Sequence, residues 1–328
     1  RFYLPAEYGG WNLDELEILR VQEEFSRGPG GMRMHLHHAA DMNWRILEDY
    51  GTPEIKGQLM DKFQDKTIYC NFAITEQTGG TGADLHTTAE WDEEKGKWIL
   101  NGEKWLISHT DCSDYTYVIA VTNPEDDKDT RLSAFFVPVD APGYELVPMP
   151  HMMGCRGAGH TGLKFTNMRL NKKYLLGKEG QGFKIAMQTL DGGRIGIAAQ
   201  ALGIAEGAME EAMAYTKGRV QFGKPISKFQ NTQFTFADMA MRSEAGRLLT
   251  YQAAVLKGEG KRFTKEAAMA KLFCSEHAML TTTKALQMFG GYGYTKDYPM
   301  ERMMRDAKIT EIYEGTSEVQ RIVISANM

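Results

Sequence analysis

The sequence lacks the features that mark a membrane protein, a disulfide-stapled domain or a nucleic-acid-binding protein. No apolar run in its 328 residues is long enough to cross a bilayer. The formal net charge of -5 disfavours nucleic acid as the main partner, because phosphate binding needs clustered positive charge. The four cysteines form neither a CxxC pair nor a metal-ligand spacing, and they are Cys70, Cys112, Cys155 and Cys274. These absences predict reduced thiols in a reducing compartment, with neither membrane nor nucleic acid among the partners.

The residues that are present have the composition of a globular enzyme. Hydrophobic residues make up 42% of the chain and charged residues 25%. The length suits two or three packed units with sizeable cores. The chain begins at Arg1, in the middle of a pattern, so we expect further residues to precede it, including any targeting peptide.

Three regions differ in their periodicity. The first carries helical patterns, with helices predicted over Asn12–Phe25 and Pro53–Phe63. The last returns to helical periodicity, and its three long helices are predicted over Phe183–Gly218, Ser227–Lys257 and Thr264–Phe289. Ser227 and Gln230 stand at the spacing of a capping box.

The middle region has the texture of a β domain. Strands are predicted over Thr67–Ile74, Tyr115–Val121 and Leu132–Val139. Trp98–Ile107 predicts a hairpin that turns at Asn101-Gly102. Strands and helices do not alternate, so a doubly wound sheet is disfavoured. We predict a mainly α fold with a central all-β domain, divided into a helical domain over 1–70, incomplete at its N-terminus, a β domain over 71–177 and a helical bundle over 178–328.

The stretch Ile312–Ser317 places a single carboxylate, Glu314, between two predicted helices. Gly315 follows it and lets another molecule approach closely. Ser317 and Gln320 stand at capping-box spacing and predict the start of the second helix. Taken alone, the pattern fits a solvated glutamate as well as a carboxylate that faces a cavity.

Three further motifs are ambiguous when each is taken alone. Asp191–Arg194 places two glycines inside a helix, which indicates either tight helix packing or close approach of a ligand, and its two charges could form a surface pair. Arg219–Gly223 fits a helix C-terminus or an arginine and a phenylalanine presented to an anionic, planar ligand. Gln287–Gly293 is a glycine-rich turn that could approach a pyrophosphate, although its spacing is not that of a Rossmann or P-loop motif.

A strand end, Phe72–Glu76, runs into the loop Gln77–Asp84. Such a loop, rich in glycine and hydroxyl groups, can wrap phosphates or a flavin edge, or it can be an ordinary long turn. His35, His37, His38 and Asp41 resemble a metal cluster, but their spacing fits no single helical face. We therefore predict no metal site.

Taken together, these motifs resemble the acyl-CoA dehydrogenase family over nearly the whole chain. The stretch Thr189–Ile204 is most similar to the short-chain, butyryl-CoA, members. The motifs that carry the resemblance occur in the family's order, and they are Phe72–Glu76, Asp191–Gly196, Arg219–Gly223, Gln287–Gly291 and Ile309–Thr316.

The resemblance implies a helical N-terminal domain, a β-barrel-like middle domain and a C-terminal four-helix bundle, with FAD between the last two. It implies a homotetramer in which Gln287–Gly291 reach the FAD of the neighbouring subunit. Ser108 takes the place of a hydroxyl that hydrogen-bonds near flavin N5. The implied FAD site comprises Phe72, Ile74, Thr75, Leu106, Ile107, Ser108, Arg219, Phe222, Gln230, Gln287, Gly290, Gly291, Thr316 and Glu318.

Glu314 matches the family's catalytic base, which takes the α-proton of the acyl-CoA while the β-hydrogen leaves as hydride to flavin N5. Some members carry the base on the helix that holds Asp191–Arg194, where this chain has Gly193. Glu311 is interpreted as a surface or helix-end charge instead. The implied substrate site comprises Ala83, Asp191, Gly193, Arg194, Tyr313 and Gly315.

An ordinary glutamate, with a pKa of about 4.3, is too weak a base for this α-proton. In the family, the backbone N–H of the base and the flavin ribitol polarise the thioester carbonyl, and apolar substrate displaces water from the carboxylate. The resemblance therefore implies conversion of a short-chain acyl-CoA to a trans-2-enoyl-CoA. Electrons then pass to electron-transferring flavoprotein, in bacterial cytoplasm or in the mitochondrial matrix of a eukaryote.

The chain departs from the family at Gln77–Asp84, which is longer than the usual loop and lacks its proline, so contacts from Ala83 stay open. The segment His35–Asp41, near the expected acyl pocket, is more polar than a butyryl tail needs. Asp41 could face a functionalised acyl group, although an ordinary solvent-facing helix is the preferred interpretation of this segment. The alternatives are therefore a branched, cyclic or functionalised acyl-CoA, physiological work as an enoyl-CoA reductase, and a non-catalytic scaffold of the same fold.

Overall fold

The computed structural model describes residues 3–37, 44–60, 62–65, 68–82, 84–127 and 129–328. Helices α1 to α10 span Glu15–Phe25, Gly30–His37, Arg45–Tyr50, Pro53–Leu59, Lys62–Asp65, Gly182–Gly218, Gln230–Gly258, Thr264–Phe289, Met300–Lys308 and Ser317–Ala326. Strands β1 to β10 span Cys70–Ala73, Thr88–Asp92, Lys97–Ile107, Tyr115–Val121, Leu132–Pro138, Tyr144–Val147, Thr161–Asn171, Leu175–Leu176, Val220–Gln221 and Lys224–Pro225. The predicted fold class, mainly α with a central β domain, is confirmed.

The chain forms two compact units. The β unit contains Arg1–Asn12, His38–Met152 and Ala158–Leu190, and the helical unit contains Leu13–His37, Met153–Gly157 and Asp191–Met328. Helices α1 and α2 thus belong with the C-terminal helices, and α3 to α5 belong with the sheet. The three-domain boundaries stay a prediction.

An eight-stranded sheet organises the β unit, in the order β6-β7-β3-β2-β4-β5-β8, with β1 parallel to β4. Alternate residues of β4 enter two different hydrophobic cores, because successive side chains of a strand point to opposite faces. Tyr117 and Ile119 lie in one core, and Val118 and Ala120 lie in the other. Both faces of this strand are therefore covered.

The hairpin predicted over Trp98–Ile107 is wrong, since β3 runs unbroken through it. Asn101 and Gly102 form an irregularity in the pairing of β3 with β7, where the register shifts. Gly102 has a φ of +139°, and a Cβ there would lie 2.6 Å from the Cα of Thr87. The Asn-Gly dipeptide therefore forms a β-bulge. A bulge, like a tight turn, needs a backbone conformation that glycine adopts readily.

The helical unit has an alanine-rich core built from α6, α8 and α9. Helix α8 begins and ends as predicted, and α6 continues to Gly218 across the two glycines of the Asp191–Arg194 motif. The capping box predicted at Ser227 is wrong, because Ile226–Lys228 form a 3-10 turn and α7 begins at Gln230 without a side-chain cap.

The first helix begins later than predicted. Asp14 caps α1, and its carboxylate accepts a hydrogen bond from the Glu17 backbone N–H at 2.8 Å. The Asp14 backbone N–H in turn donates to the Glu17 carboxylate, so the pair forms a capping box. The four cysteines are free thiols, and only Cys112 is exposed. Among the described residues, no helix has both the length and the apolar content needed to span a bilayer.

Candidate active site

Glu314 lies in the turn between a 3-10 segment, Ile309–Glu311, and α10. Its φ is +53°, a left-handed conformation that non-glycine residues seldom adopt, and its side chain is half-buried. The amide of Gln320 donates to the carbonyl oxygens of Glu314 at 3.1 Å and Gly315 at 2.8 Å. Lys271 donates from Nζ to the Gly315 oxygen at 2.6 Å. Three hydrogen bonds therefore fix the backbone of this turn, which is the setting in which backbone strain persists.

Helix α10 starts at the predicted place but with a different cap. The side chain of Thr316 accepts the Val319 backbone N–H at 3.3 Å. The capping box predicted for Ser317 and Gln320 is therefore wrong, because Gln320 turns back to the Glu314 turn instead. Two residues predicted to contact FAD lie here. Thr316 is the N-cap of α10, and Glu318 is exposed in its first turn.

Gly193 is where the helix α6 makes room for the Glu314 carboxylate. A Cβ on Gly193 would lie 2.1 Å from Glu314 Oε2 and 3.1 Å from Oε1. The neighbouring Gly192 differs, since the nearest atom outside the helix, Lys257 Nζ, would be 3.7 Å from an added Cβ. Close approach to a carboxylate therefore explains the second glycine of the pair, although that carboxylate belongs to the same chain.

Asp191 and Arg194 flank the glycines and form a buried ion pair, with 2.5 Å between Asp191 Oδ1 and Arg194 Nη1. Thr264 donates its hydroxyl to Asp191 Oδ2 at 2.8 Å. Burial raises the pKa of Asp191, and the Arg194 charge opposes this rise. The arginine side chain is only 5% exposed, so the interpretation as a surface pair is wrong.

Tyr313 belongs to a buried polar network that the sequence did not predict. Its hydroxyl donates to Gln200 Oε1, which also accepts Arg33 Nη1 at 2.6 Å. Arg33 further donates to the Gly196 carbonyl oxygen. Burial raises the pKa of Tyr313. Tyr313 precedes Glu314 in the chain, whereas Gln320 follows it, so the turn is held on both sides. The Tyr313 network also links the turn to α2 and α6.

A separate cavity of the helical unit, with a volume of about 480 Å³, brings together four residues predicted to bind FAD. They are Arg219, Gln287, Gly290 and Gly291. The Arg219 guanidinium lies 5.8 Å from the ring centre of Tyr292. One cation beside glycine backbone is a combination that suits an anionic phosphate.

Two more of the predicted FAD residues of this unit, Phe222 and Gln230, are exposed at the surface. Phe222 occupies the left-handed turn between β9 and β10, with a φ of +50° and a side chain that is 93% exposed. Gln230 is the exposed first residue of α7.

In the β unit, the segments with predicted flavin contacts are joined by backbone. The Trp105 N–H donates to the Thr75 carbonyl at 2.8 Å. Leu106 has a φ of +58° and is 48% exposed, whereas Ile74 and Ile107 are buried in hydrophobic cores. Thr75 and Leu106 therefore present surface to a ligand, as do the half-buried Phe72 and Ser108.

A fully buried ion pair supports this junction. Lys104 donates from Nζ to Glu76 Oε1 at 2.8 Å and to the Ile74 carbonyl at 3.2 Å. Glu76 also accepts the backbone N–H groups of His86 at 2.7 Å and Thr87 at 3.0 Å. Burial lowers the pKa of Lys104 to about 8, against the opposing effect of the Glu76 charge.

Several predictions fall elsewhere. Ala83, His38 and Asp41 lie outside the described residues, and the side chain of His37 is not described either. Nε2 of His35 lies 3.3 Å from the Gly157 carbonyl oxygen. Glu311 forms an ion pair with Lys308 at 2.5 Å, as expected of a helix-end charge.

Comparison with known families accounts for most of the chain. Sequence models match for the N-terminal domain of acyl-CoA dehydrogenase over residues 1–67, its middle domain over 71–168 and its C-terminal domain over 180–328. "Acyl-CoA dehydrogenase, short-chain specific" from Clostridium acetobutylicum is 43% identical over 323 residues, which are 98% of this chain and 84% of that protein.

Solved structures agree. Butyryl-CoA dehydrogenase from Megasphaera elsdenii is 40% identical with a TM-score of 0.94, and the match covers 99% of this chain and 85% of that one. A chain in the structure described as "Electron transferring flavoprotein of Acidaminococcus fermentans" is 46% identical with a TM-score of 0.93, over 99% and 85% of the two chains.

Proposed function

Because the chain belongs to the acyl-CoA dehydrogenase family and is an enzyme of that kind, we propose that it oxidises a short-chain acyl-CoA to a trans-2-enoyl-CoA. Glu314 acts as the base that removes the α-proton. The observation that carries this assignment is the space at Gly193, which seats the Glu314 carboxylate where an α6 side chain would otherwise stand. Gly193 cannot itself supply the base that some family members place on this helix.

The cofactor is FAD. Its pyrophosphate is a fitting ligand for the Arg219 guanidinium and the backbone of Gly290 and Gly291, since these line one cavity together with Gln287. Phe72, Thr75, Leu106 and Ser108 of the β unit are proposed to contact the flavin ring. Bound FAD would supply the acceptor for the β-hydrogen, which leaves as hydride to flavin N5.

The chain's own residues supply placement and proton transfer. The Glu314 carboxylate receives the α-proton, and its backbone N–H donates to the thioester carbonyl, where negative charge develops. Asp191, Arg194 and Tyr313 are proposed to lie along the substrate. Since these residues and the Glu314 turn are held by hydrogen bonds within the helical unit, the base is positioned before substrate arrives.

Glu314→Gln tests the assignment, with Glu311→Gln as the matched control. Both variants are expected to purify yellow with bound FAD. Anaerobic butyryl-CoA bleaches the flavin of the wild type and of Glu311→Gln, whereas bleaching by Glu314→Gln is slower by at least about 10³-fold, as for loss of a proton-transfer group. Normal bleaching by Glu314→Gln would show that the base lies elsewhere. A colourless wild type would favour the non-catalytic scaffold.

Electron-transferring flavoprotein is proposed as the electron acceptor, and a homotetramer as the assembly that lets Gln287–Gly291 serve a neighbouring subunit's FAD. Reoxidation of the bleached enzyme by that flavoprotein tests the first. Joint loss of FAD and of the tetramer on dilution tests the second. A bleaching screen over straight, branched and cyclic acyl-CoA thioesters identifies the acyl group. Direction in the cell and compartment, bacterial cytoplasm or mitochondrial matrix, stay predictions.

A further inference from the structure

Lys271 is a fully buried cation, and neither the family motifs nor the proposed mechanism uses it. It lies on α8, on the face that also buries Ala267, Cys274 and Ala278. A charged side chain at such a position loses its hydration and persists only where specific partners compensate. Its one described hydrogen bond runs from Nζ to the Gly315 carbonyl oxygen, at 2.6 Å.

That carbonyl belongs to the residue immediately after the base. Gln320 bonds the same oxygen, so the ammonium and the amide together orient the peptide that follows Glu314. Glu314 has a left-handed φ, and small rotations about this backbone would swing its carboxylate away from the seat at Gly193. The hydrogen bond of Lys271 therefore acts on the direction of the base.

The charges around Lys271 are mixed in sign. Burial lowers the pKa of Lys271 to about 8, Glu314 is the strongest charge opposing this effect, and Arg194 on α6 adds to it. Glu311 in the 3-10 segment and Glu318 on α10 act in the same direction as Glu314, more weakly. Arg194 is already bound to Asp191, and Glu311 is bound to Lys308. Among these groups, the ammonium of Lys271 is thus coupled first to the Glu314 carboxylate.

We propose that Lys271 is a positioning residue for the dehydrogenation, which holds the Glu314 turn through its hydrogen bond to the Gly315 carbonyl oxygen. The proposal rests on Glu314 being the base. Proton transfer requires the carboxylate to meet the α-proton in a defined geometry, so a turn that is held in place keeps the base directed at the substrate.

The test uses the FAD-loaded enzyme and the rate of flavin bleaching by butyryl-CoA across a pH range. In Lys271→Met, the plateau rate is expected to fall about tenfold because the base is less well directed. The loss is expected at every pH of the series, because a missing hydrogen bond misdirects the base whatever the pH. Lys271→Arg keeps a donor for the Gly315 carbonyl oxygen and is expected to restore most of the rate.

Lys284→Met on the exposed surface of the same helix is the matched control, and it should leave the rate unchanged. An unchanged rate in a folded, yellow Lys271→Met, with Glu314→Gln inactive, would overturn the proposal and leave the base assignment standing. Bleaching by Glu314→Gln would instead remove the base assignment on which the proposal rests. Lys271→Gln replaces Lys271→Met if the latter does not fold. If neither neutral variant folds while Lys271→Arg does, the lysine is a structural group and the proposal is wrong.

Discussion

In the part of the chain that the structure describes, each of the two units buries one lysine completely, and the two lysines are held in different ways. Lys104 of the β unit meets a carboxylate, Glu76, whose remaining acceptor capacity is used by two backbone N–H groups. Lys271 of the helical unit meets a carbonyl oxygen beside the proposed base. Burial lowers the pKa of both to about 8. Both lysines thus lose their hydration on burial. In the β unit the lysine forms a structural ion pair, and in the helical unit it lies next to the proposed base.

Removing the β-unit lysine should have the largest effect on stability. Lys104→Met leaves the Glu76 carboxylate buried without its cation, so the free energy of unfolding is expected to fall by about 3–5 kcal/mol, as for a broken buried ion pair. Urea unfolding of the purified protein measures this. The double variant Lys104→Met with Glu76→Gln removes the unpaired charge and keeps an amide oxygen that can accept a backbone N–H, so it should recover part of the loss. A double variant as unstable as the single one would show that the unpaired charge is not the cause.

The helical unit should instead lose activity when its site is crowded. Gly193→Ala places a methyl group 2.1 Å from the position that Glu314 Oε2 occupies, so the carboxylate must move. We expect flavin bleaching by butyryl-CoA to slow by about 10²-fold, the scale of a displacement of about 1 Å. Gly192→Ala is the control, because its methyl group meets only Lys257 at 3.7 Å, and it should bleach like the wild type. Equal losses in both variants would locate the cause in α6 itself.

A pH series compares the two lysines directly. Each has a folded-state pKa of about 8 against an ordinary value of 10.5, so between these values the unfolded chain binds more protons. The contribution of each lysine to stability should therefore rise with pH across this window, by at most about 1.4 kcal/mol per pH unit. The measurement is urea unfolding of the wild type, compared with Lys271→Met and with the double variant Lys104→Met, Glu76→Gln. The differences cancel the titration of the tyrosines and cysteines that all three proteins share. A rise for one lysine and none for the other would show that the partner, and not burial, controls the shift.

The long helices were predictable because their periodicity extends over many residues, as at Thr264–Phe289. Predictions from two to four residues failed where the same residues are compatible with two different local structures. Asn101-Gly102 suits a bulge as well as a hairpin, and Thr316, Ser317 and Gln320 all offer side chains that can cap or bond a helix start.

The resemblance located Glu314, but its surroundings come from distant parts of the chain. No local pattern could show that the missing side chain at Gly193 would face Glu314, or that Gln320 would turn back to bond the preceding carbonyls. Lys271 did leave a signal, since a lysine among Ala267, Cys274 and Ala278 falls on the apolar face of its helix.

The space beside Gly193 accommodates one carboxylate, that of Glu314. This restricts how the proposed base could move, in evolution, between the Glu314 turn and α6. Gaining an acid at position 193 first would force two bulky, like-charged groups into the same space. Losing Glu314, the proposed base, first would leave an inactive ancestor. Migration therefore requires paired replacement or a permissive neighbouring change, and relatives with either arrangement should be separated by intermediates of low fitness.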